Sequence, residues 1–131
     1  MNALVVEDEK LMNWSLTQSL DKWGFNTRSA YSAQEALEAI HSIHFDVVLL
    51  DYHLPDQNGL QIARKVRAKL PSAQIYMITA FQLSELPLGG GLVDGYFNKP
   101  VDLKRLRAAL ESAGNRRESD PGIAPEGNEP N

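Results

Sequence analysis

The stretch Val47-Val48-Leu49-Leu50-Asp51-Tyr52-His53-Leu54-Pro55-Asp56-Gln57-Asn58-Gly59 sets an unbroken apolar run against an aspartate and then a segment of turn chemistry. A strand from about Phe45 to Leu50, apolar without a break from Val47 onward, reads as one buried on both faces, the pattern of a parallel sheet covered by helices. Pro55 through Gly59 favour a turn. Ile62, Val66 and Leu70 then carry helical spacing until Pro71 stops it. Three other runs end in the same way, in residues with chemistry. Ala3-Leu4-Val5-Val6 leads into Glu7-Asp8-Glu9, Ile75-Tyr76-Met77-Ile78 into Thr79-Ala80, and Tyr96-Phe97-Asn98 into Lys99-Pro100. If these strands are parallel, their carboxyl ends share one edge of the sheet, the crevice where open α/β sheets bind ligands.

Working outward, Met12, Leu16, Leu20 and Trp23 form a helical stripe that ends at Gly24. Phe25 to Ala30 reads as a second strand, polar enough for a sheet edge. Ser32 and Glu35 fit a capping box opening a second helix with Ala36, Leu37, Ile40 and Ile43. A fifth strand spans Gly95 to Asn98, and Leu103, Leu106 and Leu110 mark a last helix. Between Thr79 and Tyr96, Pro87 and Gly89-Gly90-Gly91 oppose helix, because proline costs about 3 kcal/mol and glycine about 1 kcal/mol in a helix interior. The fourth helix is therefore expected to be short or irregular. Residues 1–114 read as one domain. Residues 115–131, rich in Pro, Gly and Glu with Ile123 as the large apolar residue, read as a disordered tail or linker.

The 131 residues, 43% hydrophobic and 23% charged, suffice for one core. The formal net charge of -4, with no Lys/Arg cluster, argues against direct nucleic-acid binding. The absence of cysteine excludes a disulfide framework and thiolate zinc sites. Met1 leads straight into a strand, and no apolar stretch reaches membrane-spanning length, so a cytoplasmic protein is the expectation.

At the shared edge, carboxylates, a hydroxyl and an ammonium suggest a metal-assisted phosphoryl acceptor. Asp51 is the candidate nucleophile, able to form an acyl phosphate. Glu7 and Asp8 offer the hard oxygen ligands that Mg²⁺ takes. Lys99 would face phosphoryl oxygens with fixed positive charge, and Thr79 would donate a hydroxyl to them. Each has a plainer reading alone: a turn-capping aspartate, acids at a helix start, a surface lysine, a β-former at a strand end. Glu9 is assigned only the helix-start role. Three carboxylates in one crevice would raise one another's pKa, which favours a divalent cation there.

Leu4-Val5-Val6-Glu7-Asp8-Glu9, Leu49-Leu50-Asp51-Tyr52-His53-Leu54-Pro55 with Gly59-Leu60, Ile78-Thr79-Ala80, and Tyr96-Phe97-Asn98-Lys99-Pro100 together resemble the four blocks of response-regulator receiver domains of two-component signalling. The resemblance covers about residues 2 to 113. It implies a flavodoxin-like, doubly wound α/β fold: a five-stranded parallel sheet in order 2-1-3-4-5 with five helices. It makes Asp51 the phosphoacceptor, with Asp8 and Asp51 direct Mg²⁺ ligands, Glu7 acting largely through water, and the His53 backbone carbonyl completing the protein side. It also implies a cis Lys99-Pro100 bond and a switch formed by Thr79 and Tyr96. His53 and Phe81 fall where the family varies and tunes the lifetime of the phosphoryl group. The implied partners are a sensor histidine kinase or histidine phosphotransfer protein and an output domain or partner protein, with a homodimer left open. Such a chain is not an enzyme beyond its own phosphorylation and dephosphorylation. The output surface would be the fourth helix, fifth strand and fifth helix. A haloacid-dehalogenase-like phosphatase is the competing enzyme reading, but that family carries an aspartate where His53 stands. A pseudo-receiver that only binds proteins is disfavoured because no site residue is missing.

Overall fold

In the computed structural model the described residues are 1–80 and 91–118, with side chains as far as Ser112. Five strands, β1 (Asn2–Val6), β2 (Asn26–Ala30), β3 (Val47–Asp51), β4 (Gln74–Thr79) and β5 (Gly95–Asn98), form one sheet in the order β2-β1-β3-β4-β5. Every pairing is parallel. The helices are α1 (Lys10–Lys22), α2 (Ala33–Ser42), α3 (Gly59–Lys69) and α4 (Leu103–Glu118). The stretch in which the irregular fourth helix of the sequence reading falls, with Phe81, lies largely at 81–90, outside the described residues. The chain divides into two compact units, Met1–Pro100 and Val101–Asn131.

Within the first unit the strands have the predicted double burial: β1 from Ala3, all of β3 and all of β4 are buried. Alternate residues therefore point to opposite faces and both find apolar partners. Leu4, Val6, Val48, Leu50, Ile75 and Met77 pack in one cluster with Ala33, Ala36 and Ile40 of α2 and Ile62, Ala63 and Val66 of α3. Each large aliphatic side chain so buried contributes about 2 kcal/mol relative to exposure.

Local chemistry sets the helix ends. Trp23 caps α1 and Gly24 follows at φ 96°, the left-handed conformation glycine adopts without strain. The Ser32 side chain accepts from the Glu35 backbone N–H, but the Glu35 carboxylate accepts from Tyr31 N rather than closing the expected box. A complete capping box is found instead at Asn58 and Gln61, opening α3. The buried face of α1 is Asn13, Leu16, Thr17 and Leu20 rather than the Met12-to-Trp23 stripe, because Met12 and Trp23 are only half-buried.

In the second unit, Asp102 Oδ1 accepts from the backbone N–H groups of Lys104 and Arg105 and so caps the start of α4. This helix runs to Glu118, beyond the domain end placed at Gly114 by composition. One glycine costs a helix about 1 kcal/mol, too little to end one whose turns are already formed. Residues 119–131 of the expected tail lie outside the described residues.

Candidate functional site

Strand register brings the site residues together. Val6 pairs with Leu50, so Glu7 leaves β1 level with Asp51 at the end of β3. Asp51 pairs with Ile78, and Thr79 with Asn98, which places the carboxyl ends of β4 and β5 beside it. The Lys99 backbone N–H donates to the Thr79 carbonyl at 2.8 Å, extending the pairing to the lysine, and the Lys99-Pro100 peptide is cis.

Asp51 is only 3% exposed. One of its oxygens, Oδ1, accepts from the His53 backbone N–H at 3.1 Å, and Oδ2 lies 3.2 Å from Lys99 Nζ. Lys99 Nζ also stands 3.0 Å from Glu7 Oε1. One ammonium thus bridges two buried carboxylates. Glu7 Oε2 accepts from the Glu9 backbone N–H at 2.9 Å, whereas Oε1 is buried with the Lys99 ammonium beside it. Thr79 is fully buried, His53 is exposed, and its ring meets Tyr52 edge-on at 5.1 Å. The half-buried Tyr96 carries a hydroxyl buried without a hydrogen-bond partner.

Burial pushes the Glu7 carboxyl up from 4.5 to about 7, with the Asp51 charge adding to the rise and the Glu9 N–H and Lys99 opposing it. The dominant cause is thus loss of solvent rather than the carboxylate repulsion expected from the sequence. Burial also works against the charge on Lys99, but the Glu7 and Asp51 carboxylates outweigh it and hold the ammonium above its ordinary value.

Among the described residues, Glu7, Asp8 and Asp51 each offer a carboxylate oxygen within 4.8 Å of the others. An all-oxygen donor set of carboxylates fits a small hard cation such as Mg²⁺. Two of these carboxylates are buried while Asp8 is exposed, leaving the group open on one side.

Glycine at position 59 is required behind this site. A Cβ there would meet Met77 Sδ at 2.6 Å, Tyr52 Cα at 2.8 Å and the Asp51 carbonyl oxygen at 2.9 Å. The Gly59 N–H donates to the Tyr52 carbonyl at 2.7 Å, which folds the Tyr52-to-Asn58 loop back toward β3. Asp56, in the same loop, accepts from the Ala33 and Gln34 backbone N–H groups at the start of α2, and those bonds hold its carboxyl below the usual aspartate range. Arg67 braces the far end, donating to the Leu92, Pro71 and Ala73 carbonyls and pairing with Asp94 at 3.1 Å. The sequence reading assigned no role to Asp56 or Arg67; their partners lie on other elements.

The profile of the family described as response regulator receiver domain matches residues 3–111. The chain belongs to the response regulator receiver family. Response regulator protein PilR of Pseudomonas aeruginosa is 35% identical over 114 residues, which cover 85% of this chain and 25% of PilR. A cyclic di-GMP phosphodiesterase of Thermotoga maritima is 32% identical over 116 residues, covering 86% of this chain and 31% of that protein. This receiver therefore spans between a quarter and a third of those relatives. Among solved structures, the response regulator TrrA of Thermotoga maritima, in complex with Mg²⁺-BeF, superposes with a TM-score of 0.78 at 28% identity, covering 86% of this chain and 97% of that one. Family and fold agree: the five-stranded order 2-1-3-4-5 of the receiver is the order observed here. No helix among the described residues is long and apolar enough to cross a membrane.

Proposed function

We propose that this receiver accepts a phosphoryl group on Asp51 from a phosphohistidine of a sensor kinase or phosphotransfer protein. The observation that carries the proposal is the buried Asp51 carboxylate, 3.2 Å from Lys99 Nζ and grouped with Glu7 and Asp8. A carboxylate oxygen of Asp51 attacks phosphorus, forming the acyl phosphate P–O bond as the donor's P–N bond breaks; the imidazole leaves with that electron pair and takes up a proton. Glu7, Asp8, Asp51 and the His53 backbone carbonyl are assigned to hold Mg²⁺, which when bound supplies the positive charge that phosphoryl oxygens need. The His53 N–H fixes one Asp51 oxygen through its bond to Oδ1. Lys99, held charged by two carboxylates, is assigned to pair with the incoming oxygens, and Thr79 at the end of β4 is assigned to donate its hydroxyl to them.

The readout is assigned to Thr79 and Tyr96 moving toward the phosphoryl group and altering the surface around β5 for a partner or attached output domain. A buried tyrosine hydroxyl without a partner is unfavourable by about 1–3 kcal/mol, so Tyr96 gains from any rearrangement that satisfies it. His53 and Phe81 are assigned to the lifetime of the acyl phosphate. The cytoplasm is the compartment such a partner set implies. The reading is tested by incubating the protein with Mg²⁺ and acetyl phosphate and weighing it. The expected result is one added phosphoryl group, absent in Asp51→Asn and on chelation; stoichiometric labelling of Asp51→Asn would refute the assignment.

A further inference from the structure

Asn13 sits within α1, outside the four sequence blocks, and is fully buried. Its Nδ2 donates toward three backbone carbonyl oxygens: Glu7 at 3.0 Å, Ala30 at 3.2 Å and Val5 at 3.3 Å. Its Oδ1 accepts from Ser29 Oγ at 2.6 Å. Carbonyl oxygens only accept, so three of them on one side require the nitrogen there, and the serine hydroxyl meets the oxygen on the other. The amide orientation is thereby fixed by its partners.

The carbonyls it gathers are those that aim the acidic pair. Val5 and Glu7 flank the last residue of β1, and Ala30 ends β2; the Glu7 N–H itself donates to the Ala30 carbonyl at 3.0 Å. The Glu7 carbonyl belongs to the peptide plane leading into Asp8. Fixing that plane fixes the direction in which both carboxylates leave the strand. An apolar residue would be the ordinary occupant here, because Asn13 lies on the same buried face as Leu16 and Leu20. Asparagine lowers helix propensity relative to leucine and brings a polar group out of water. That it is nonetheless present, with every polar atom engaged, calls for a role that leucine cannot fill.

We infer that Asn13 is a positioning residue for the metal-binding acidic pair, acting through the Glu7 carbonyl to hold Glu7 and Asp8 in their cation-binding orientation, with Ser29 fixing the amide. The role rests on the Mg²⁺ site assigned above. Groups of this kind, which orient ligands without touching the metal, typically alter affinity 10- to 100-fold when removed.

The test is Mg²⁺ binding to the full chain by isothermal titration calorimetry, well below the unfolding temperature, with thermal unfolding recorded in parallel. Asn13→Leu keeps the side-chain bulk and removes the donors; it should weaken Mg²⁺ binding about tenfold. A folded Asn13→Leu protein whose Mg²⁺ affinity stays within about twofold of wild type would show a purely structural amide and overturn the inference. Should Asn13→Leu fail to fold, Ser29→Ala decides. It leaves Asn13 in place and should weaken Mg²⁺ binding about threefold, the size of one ordinary hydrogen bond; unchanged affinity would overturn the role. Failure of the underlying site reads differently: the wild-type protein itself would then take up no Mg²⁺.

Discussion

On the proposed assignment of Glu7 to the Mg²⁺ site, ion binding is a competition with a proton. The Glu7 carboxyl, pushed up to about 7 by burial, is half-protonated near neutral pH in the metal-free protein, whereas a ligand to Mg²⁺ must be ionised. The sign follows directly. Below pH 7 the proton occupies the group, so apparent affinity falls as pH falls through 7; well above 7 the proton is gone and affinity levels off. With a group titrating at about 7, competition weakens binding by a factor of about 11 at pH 6 and about 1.1 at pH 8, a ratio of about tenfold. Calorimetric titration with Mg²⁺ at pH 6, 7 and 8 and constant ionic strength measures this ratio. Repeating the pH 7 titration in buffers of different ionisation heat should reveal about half a proton released per ion.

Glu7→Gln is the discriminating control. Its Mg²⁺ affinity should be lower throughout and nearly flat between pH 6 and 8. An undiminished tenfold slope in Glu7→Gln, or no slope in the wild type, would refute the reasoning. The same shift has an opposite consequence for the metal-free fold. An acid whose folded pKa lies above its unfolded value binds more protons when folded, so stability attributable to Glu7 declines as pH rises from about 4.5 to about 7.

Gly59→Ala should lower stability by about 3 kcal/mol in urea unfolding, because the new Cβ meets Met77 Sδ and the Tyr52 and Asp51 backbone, and only the methionine can yield. Asp56→Ala removes acceptors from the first turn of α2 and should destabilise by about 1 kcal/mol at neutral pH, with the difference shrinking as pH falls below the ordinary aspartate range and the wild-type carboxylate is itself protonated. Lys99→Ala leaves Glu7 and Asp51 facing one another without their shared cation; the metal-free protein should lose about 2 kcal/mol, and saturating Mg²⁺ should recover more stability than it gives the wild type. Phe81→Ala should shorten the life of the acyl phosphate, read as the rate at which labelled protein loses its added mass; an unchanged rate would remove Phe81 from that role.

Much of the architecture was legible because parallel strands covered on both faces leave little choice of composition. Val47 to Leu50 and Ile75 to Ile78 are apolar throughout since neither face meets water. Once such strands are parallel, whatever follows each of them lies at one edge, and the order of chemistry along the chain becomes an arrangement in space. What the sequence did not display were contacts between polar side chains and distant backbone. Asp56 caps a helix that begins at Ala33, and Arg67 braces a carbonyl at Leu92; neither link has a local spacing rule. Asn13 did leave a trace. It precedes Leu16 by three residues and Leu20 by seven, so a polar residue stands in the buried stripe, and the stripe drawn through Met12 and Trp23 passed it by. α4 continues past Gly114, where composition places the start of the tail, because a helix that already has its turns formed loses only about 1 kcal/mol at one glycine.

The resting arrangement also accounts for why phosphorylation of Asp51 should require metal. Three carboxylates against one ammonium leave the crevice with an excess of negative charge whenever Glu7 is ionised, and Lys99 is already shared between Glu7 and Asp51. An incoming phosphoryl group brings further negative oxygens into a site that is largely withdrawn from solvent, where charges interact more strongly than in water. Lys99 cannot serve those oxygens without releasing a carboxylate, and releasing one restores the repulsion it was suppressing. A divalent cation held by Glu7, Asp8 and Asp51, as proposed above, would supply the positive charge that resolves this conflict and leave Lys99 for the phosphoryl oxygens. Burial of Glu7 with only a shared ammonium beside Oε1, and the rise of its carboxyl to about 7, are then two signs of one condition, a buried carboxylate short of positive charge.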